Sequence, residues 1–209
     1  MGRPFSPAAR IRLALEARSR RRRYNCQDQG APAWEERAEQ AVSLLTSSAV
    51  VPSSGGWLKI ADLGAGNQRL RSILEQALDV PCDYRAYDIQ PQAESVQRLD
   101  VGRALPDERF DVVFCLGLLE YLRDLDGFVR RVRTICGYAV ISYVVTDAPD
   151  SLDPSARRAR GWLSDLTRFD IEHLFRTEGY AREAFILTNE ERTGLWLWSV
   201  SGDAAVSST

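Results

Sequence analysis

The sequence predicts a three-layer α/β/α fold, an open sheet that is mostly parallel with a late antiparallel strand, plus an N-terminal helical extension. Three observations lead there. From residue 57 onward, short apolar runs alternate with segments whose apolar residues recur at helical spacing. The runs Leu58–Leu63, Phe110–Leu116 and Tyr138–Val145 are apolar nearly throughout, as strands covered by helices on both faces are. The chain has 209 residues, of which 44% are hydrophobic and 27% charged, enough to bury a full core in one domain.

Taken in order, residues 33–48 read as a helix, with Trp34, Ala38, Ala41, Val42 and Leu45 on one face. Val51-Pro52-Ser53-Ser54-Gly55-Gly56 is a loop, and it sets the expected boundaries: a basic arm and cap helix over 1–52, the sheet domain over 53–202, and a polar tail over 203–209. Leu58–Leu63 is the first strand. Leu70, Ile73, Leu74, Ala77 and Leu78 mark a helix, and Tyr84–Ile89 a second strand. Pro91–Leu99 is read as a short helix. After the strand Phe110–Leu116, the positions Leu125, Phe128, Val129 and Val132 form a helix face, and Tyr138–Val145 is the next strand. Thr146–Asp165 is polar. A helix then opens at Thr167 as N-cap and stops at Gly179, followed by strands near Ala181–Leu187 and Leu195–Val200.

Composition excludes several chemistries. Basic residues number 27 against 29 acidic, a net charge of −2, which argues against nucleic acid as a partner. Lys59 is the only lysine and sits in no phosphate-loop or Schiff-base context; the arginine bias reads as the base composition of a GC-rich bacterial genome. Cys26, Cys82, Cys115 and Cys136 form no C-x-x-C pair, and His173 is the only histidine, so no metal site is expected. Four free thiols, no apolar run of membrane-spanning length and no leader-like segment suggest a cytoplasmic protein.

In such sheets the ligand sits at the carboxyl ends of the strands. The first strand ends in Asp62-Leu63-Gly64-Ala65-Gly66-Asn67. Two glycines let the backbone approach a ligand, but Arg69 stands where a dinucleotide fingerprint would have its third glycine. A carboxylate at Asp62 would repel phosphate and suits an ammonium or hydroxyl group. The second strand ends in Tyr87-Asp88-Ile89, an acid placed to accept both hydroxyls of a ribose. Asp100 and Val101 follow, then Phe110 to Leu122, a strand running into a small-residue turn.

These stretches together resemble the class I S-adenosylmethionine-dependent methyltransferases, which are Rossmann-like, over roughly residues 57–200. The resemblance implies S-adenosylmethionine as cofactor. It implies that Asp62, Gly64 and Gly66 hold its methionine part, Asp88 and Ile89 its ribose, and Asp100 and Val101 its adenine, with Cys115 and Leu116 at the end of the fourth strand. Trp34-Glu35-Glu36-Arg37 resembles a cap helix whose arginine, Arg37, grips the cofactor carboxylate. The chain departs from the pattern twice: Gln68 stands where a third glycine is frequent, and Tyr121 where a histidine is.

Methyl transfer from a sulfonium needs the acceptor lone pair in line behind the methyl carbon, and a base only when a hydroxyl reacts. No catalytic residue stands out; Glu120, Tyr121, Tyr143, Tyr24, Asp147 and His173 are the candidates. No Asn/Asp-Pro-Pro-Tyr/Phe tetrad follows the fourth strand, which disfavours base or amide N-methylation and leaves a small-molecule or sugar-like acceptor. Arg157, Arg158 and Arg160 belong either to a lid that meets an anionic or glycosyl acceptor or to a solvated loop. The run Arg18–Arg23 is either a solvated arm or the grip of a nucleic-acid or protein methyltransferase, and a non-catalytic binding protein on the same fold is a further alternative.

Overall fold

The computed structural model describes residues 32–48, 50, 56–188 and 192–200. The Arg18–Arg23 run, Tyr24, Asn25, Cys26, most of the 51–56 loop and the tail lie outside them. Helix α1 spans Pro32–Thr46. It is followed by β1 (Leu58–Leu63), α2 (Arg69–Ala77), β2 (Cys82–Asp88), β3 (Val96–Arg98) and β4 (Phe110–Cys115). A 3-10 turn at Leu119–Tyr121 leads into α3 (Leu125–Ile135) and β5 (Cys136–Val144). Then come α4 (Pro154–Ala159), α5 (Arg168–Thr177), β6 (Tyr180–Thr188) and β7 (Thr193–Val200).

The strands form one sheet in the order β3-β2-β1-β4-β5-β7-β6. The pairs β1–β2, β1–β4, β2–β3 and β4–β5 are parallel, and β7 runs antiparallel to both neighbours. The expected layering and the late antiparallel strand are therefore present.

Alternation along the central strands feeds two cores. Ala61, Leu63, Val113, Cys115, Ala139, Ile141, Trp196 and Trp198 face α3 and α5. Ile60, Val112, Phe114, Val140, Leu195 and Leu197 face α1 and α2. Helix α1 thus shares a core with the sheet, through Ala38, Ala41, Val42 and Leu45.

The stretch Pro91–Leu99 corrects the sequence reading, because it is not a helix. Val96–Arg98 is a short strand paired to β2, Ala86 against Val96. Val96 is its single buried residue and packs with Ala65 and Ala86, so a β-branched side chain at the sheet edge outweighs the weak helical spacing. The polar stretch 146–165 is not a plain loop either, since α4 interrupts it. Asp153 caps α4, accepting from the Ala156 N–H at 2.9 Å, and Pro154 stands in its first turn.

The chain leaves β1 toward β2 and β3 on one side and returns to β4 on the other. Between the carboxyl ends of β1 and β4 lies the switch point where such sheets open a crevice.

Candidate active site

Two adjoining recesses occupy that crevice, about 620 and 670 Å³ and open to solvent, and both are lined by Gly64.

The turn after β1 forms the floor. Gly64 and Gly66 take φ of +83° and +51°, a backbone that L side chains rarely adopt. The Gly64 and Ala65 N–H groups donate to the Tyr87 carbonyl at 2.8 and 3.1 Å, which stitches the turn to β2. Gln68 also has φ +59°, so this chain holds the third turn residue in the glycine conformation with a side chain attached. Its amide donates to Ser95 Oγ at 2.8 Å.

Asp62 is buried in the floor of the first recess. Its place on β1 shares the parity of Ile60 and so faces α1 and α2. Ile60 is the register partner of Tyr84, and the Tyr84 hydroxyl donates to Asp62 Oδ2 at 2.5 Å. Burial pushes the Asp62 carboxyl up to about 7, with Asp88 adding to the rise and the Tyr84 bond opposing it.

The opposite wall of this recess comes from α1. Arg37 lies 4.4 Å from the centre of the Trp34 ring and is buried, with Nε lacking any partner. Burial lowers its affinity for the proton, against the attraction of Glu120. Gly117, at φ +65°, is what admits this pair: a Cβ there would lie 2.8 Å from both Arg37 Nη1 and the Trp34 ring. The Gly117 N–H donates to Ser142 Oγ at 2.7 Å.

The second recess carries the other acids. Asp88 receives the Gly66 N–H on Oδ2 at 3.0 Å and the Gln90 N–H on Oδ1 at 2.7 Å. It therefore fixes the glycine turn as well as lining the cleft beside Ile89, Asp100 and Val101. Asp100 pairs with Arg103 at 3.2 Å. The far wall is Leu118, Tyr121 and Leu122 with Gly161 and Leu163.

That far wall is held by a buried cation. Arg157 is fully buried. Its Nε donates to Asp165 at 2.8 Å, Nη1 to the Val144 carbonyl at 2.8 Å, and Nη2 to Tyr143 Oη at 2.9 Å and the Ser164 carbonyl at 3.0 Å. Glu120 completes the brace. Its carboxylate accepts from the Val144 N–H at 3.0 Å, and its carbonyl from the Leu163 N–H at 2.6 Å. The Trp162 indole N–H donates to the Tyr121 hydroxyl at 3.2 Å.

The structure thus brings Arg37, Asp62, Gly64, Gly66, Asp88, Ile89, Asp100, Val101 and Leu116 to one cleft. Cys115, at the end of β4, is fully buried in the core on the α3 side and its side chain is not among those lining the cleft; burial pushes its thiol well up. Strand alternation sends Phe114 to one face and Cys115 to the other, away from α1.

Among the catalytic candidates, His173 is exposed on α5 and stacks on Phe169. Asp147 accepts from the Arg168 N–H at 2.9 Å near the start of α5. Tyr143 is buried in the Arg157 network. Of the described candidates only Tyr121 lines the cleft, and Glu120 is buried beside it with Oε2 lacking a partner, its carboxyl pushed up by burial. Of the arginines read as a lid or a solvated loop, Arg157 is neither, being buried and bonded to Asp165, whereas Arg158 pairs with Asp165 from a half-exposed position and Arg160 is exposed. Tyr84 was not legible as a site residue, although β1–β2 pairing puts it diagonally across from Asp62 on one face.

No described helix is long and apolar enough to cross a membrane, and no cluster of three or more His, Cys, Asp or Glu side chains suited to a metal occurs among the described residues.

No protein-family model and no curated protein matches the chain. Solved structures do match it. One is the 1,6-didemethyltoxoflavin-N1-methyltransferase of Burkholderia thailandensis, solved with bound 1,6-didemethyltoxoflavin and S-adenosylhomocysteine. The match has a TM-score of 0.64 at 16% identity and covers 97% of this chain and 94% of that one. The magnesium protoporphyrin IX methyltransferase of Synechocystis PCC 6803 matches with a TM-score of 0.58 at 14% identity, over 91% of this chain and 98% of that one. An S-adenosylmethionine-dependent methyltransferase of Clostridium acetobutylicum gives 0.58 at 10% identity, over 92% and 99%.

The fold is Rossmann-like, a sheet covered on both faces with its crevice at the switch point. More particularly, it is the fold of the class I S-adenosylmethionine-dependent methyltransferases.

Proposed function

We propose that the protein transfers a methyl group from S-adenosylmethionine to an oxygen or nitrogen atom of a small-molecule acceptor. One observation carries this reading. A single cleft presents a buried carboxylate, Asp62, and a buried guanidinium with an unpartnered Nε, Arg37, at one end, and Asp88 and Asp100 at the other. That donor set fits the cofactor's ammonium, carboxylate, ribose hydroxyls and adenine in turn. A nicotinamide dinucleotide fits worse, because its pyrophosphate would meet Asp62.

The sulfonium cofactor supplies an activated methyl group, so the chain's task is binding and alignment. Asp62 and Arg37 would fix the amino-acid end, and the glycine turn admits it closely. Asp88 would hold the ribose. Gly117, Tyr121, Gly161 and Leu163 form the remaining wall, apolar except for the Tyr121 hydroxyl, against which an acceptor is oriented and water excluded. Arg157 and Glu120 keep that wall in place.

Calorimetric titration with S-adenosylmethionine and S-adenosylhomocysteine tests the reading. Micromolar binding that falls by 100-fold or so in Asp88→Ala is the expected result, roughly the loss of one buried charged hydrogen-bond acceptor. No heat from either ligand overturns it.

A further inference from the structure

We propose that Tyr84 is a positioning residue for the cofactor's ammonium group: its hydroxyl holds the Asp62 carboxyl at the cleft floor and favours the ionised form that receives the ammonium, so that it limits the proton release accompanying ammonium binding. This rests on the reading above that S-adenosylmethionine occupies the cleft.

The geometry is specific. Tyr84 reaches across from β2 and donates to Asp62 Oδ2 at 2.5 Å, so one carboxylate oxygen is fixed and the carboxyl plane cannot rotate freely. Oδ1 is then the atom that carries the proton when Asp62 is neutral and that faces a cation when it is ionised. Asp62 takes part in no ion pair among the described residues. The groups around it do not compensate its charge. Asp88, at the end of β2, repels it, and Cys115 on β4 is a neutral buried thiol. Arg37 lines the same recess from α1, but Glu120 is its main charge partner. Arg69, at the start of α2, pairs with Glu35 at 3.2 Å. Near the phenol itself lie Arg71 and Cys82, whose effects on Tyr84 oppose each other.

A buried carboxyl in these surroundings holds its proton up to about 7, although the Tyr84 bond favours the ionised form. An arriving ammonium reverses the balance. The Oδ1–H bond of the neutral fraction breaks, the proton passes to solvent, and the carboxylate takes the ammonium's N–H donors. The affinity for the ionised form is then diluted by the protonated fraction at each pH.

The test is calorimetric titration with S-adenosylhomocysteine at pH 6, 7 and 8, in pairs of buffers that differ in ionisation enthalpy. The probe 5′-deoxy-5′-methylthioadenosine, which has no ammonium group, runs alongside. Wild type should release about half a proton per S-adenosylhomocysteine at pH 7, and bind about tenfold more weakly at pH 6 than at pH 8. Methylthioadenosine should bind with no such dependence. Tyr84→Phe removes the bond that favours the carboxylate, so its affinity should rise more steeply than that of wild type between pH 7 and pH 8, and its proton release at pH 7 should exceed half a proton. Asp62→Asn should flatten the profile.

A merely structural Tyr84 would lower affinity for both probes at every pH without moving the profile, and that result overturns the proposal. So does a flat wild-type profile with no proton release. If neither probe binds, the cofactor reading fails and this inference falls with it. If methylthioadenosine binds and S-adenosylhomocysteine shows no proton linkage, the cofactor reading survives and only this inference is lost.

Discussion

Arg157 and Arg158 are neighbours in sequence, and both contact Asp165, so the pair isolates what burial does to an ion pair. Arg157 has no exposed side-chain surface, while Arg158 is 47% exposed. Replacing Arg157 by Met keeps the stem's volume and deletes four hydrogen bonds, to Asp165, Val144, Tyr143 and Ser164. The carbonyls of Val144 and Ser164 and the Asp165 carboxylate then lose a charged donor inside the protein. Removing one partner of a buried, hydrogen-bonded charge costs about 3–5 kcal/mol. Arg158→Met gives up an exposed pair worth about 0–1 kcal/mol. Its bond to the Trp162 carbonyl, at 2.8 Å, adds about 1 kcal/mol at most.

Urea unfolding of the two variants beside wild type measures the difference, with the m-value checked for constancy. Arg157→Met should lose at least about 1 kcal/mol more than Arg158→Met, and in a chain of this size its Tm should fall by roughly 6–20 °C. Equal losses in the two variants would refute the argument, because they would mean that the Arg157 guanidinium is hydrated or that its bonds are not formed. The far wall of the cleft would then be a mobile segment.

Three further outcomes follow from the glycine turns and the buried acid. Gly117→Ala puts a Cβ 2.8 Å from Arg37 Nη1 and the Trp34 ring at φ +65°, and should weaken S-adenosylhomocysteine binding at least tenfold in the calorimeter; unchanged affinity would separate α1 from the site. Gln68→Gly should be more stable than Gln68→Ala by about 1 kcal/mol on chemical denaturation, since only the first relieves the left-handed backbone at φ +59°, and equal stabilities would mean that the turn is not left-handed. Asp62 is a carboxyl whose folded pKa lies above its unfolded value, so the folded state binds more protons between about pH 4 and 7 and wild-type stability falls as pH rises through that window. Asp62→Asn should therefore gain stability relative to wild type from pH 5 to pH 8, by a few kcal/mol in urea titrations; a constant difference between the two would contradict the burial argument.

How far the sequence reached depends on which signal each element carries. The buried strands announce themselves, because a run such as Val112-Val113-Phe114-Cys115 has no polar face and must be covered on both sides. The glycine turn and Asp88 were legible for the same reason: their position at strand ends follows from the alternation of elements. Pro91–Leu99 misled because β3 is three residues long and its only burial signal is Val96. Cys115 and Leu116 are neighbours in sequence, yet only Leu116 lines the cleft, because the face of β4 that each side chain takes follows from strand parity. The Arg157 brace was illegible in principle. Its acceptors are two main-chain carbonyls, a tyrosine on β5 and an aspartate eight residues on, and only the folded chain brings them together. Tyr84 is intermediate: its face follows from strand parity once β1 and β2 are paired in register, and that register is a tertiary fact.

The two ends of the structure handle buried charge in opposite ways. Around Arg157 every guanidinium nitrogen has a protein acceptor, and the result is a rigid wall. In the cleft, Asp62 has only a phenol and the Arg37 Nε has no partner. Buried polar atoms left this way cost stability of about 1–3 kcal/mol each. A carboxylate and a guanidinium on facing walls of one recess are each complementary to the opposite end of a zwitterion, and an amino-acid moiety is the smallest group that answers both at once. Pairing Asp62 directly with Arg37 would remove the cost and the site together. Gly117 and Trp34 oppose that collapse by holding Arg37 against the ring at 4.4 Å, while Tyr84 holds Asp62 on the other wall. Under the proposed reading, an aromatic side chain on each of these two groups leaves it available to the cofactor and not to the other.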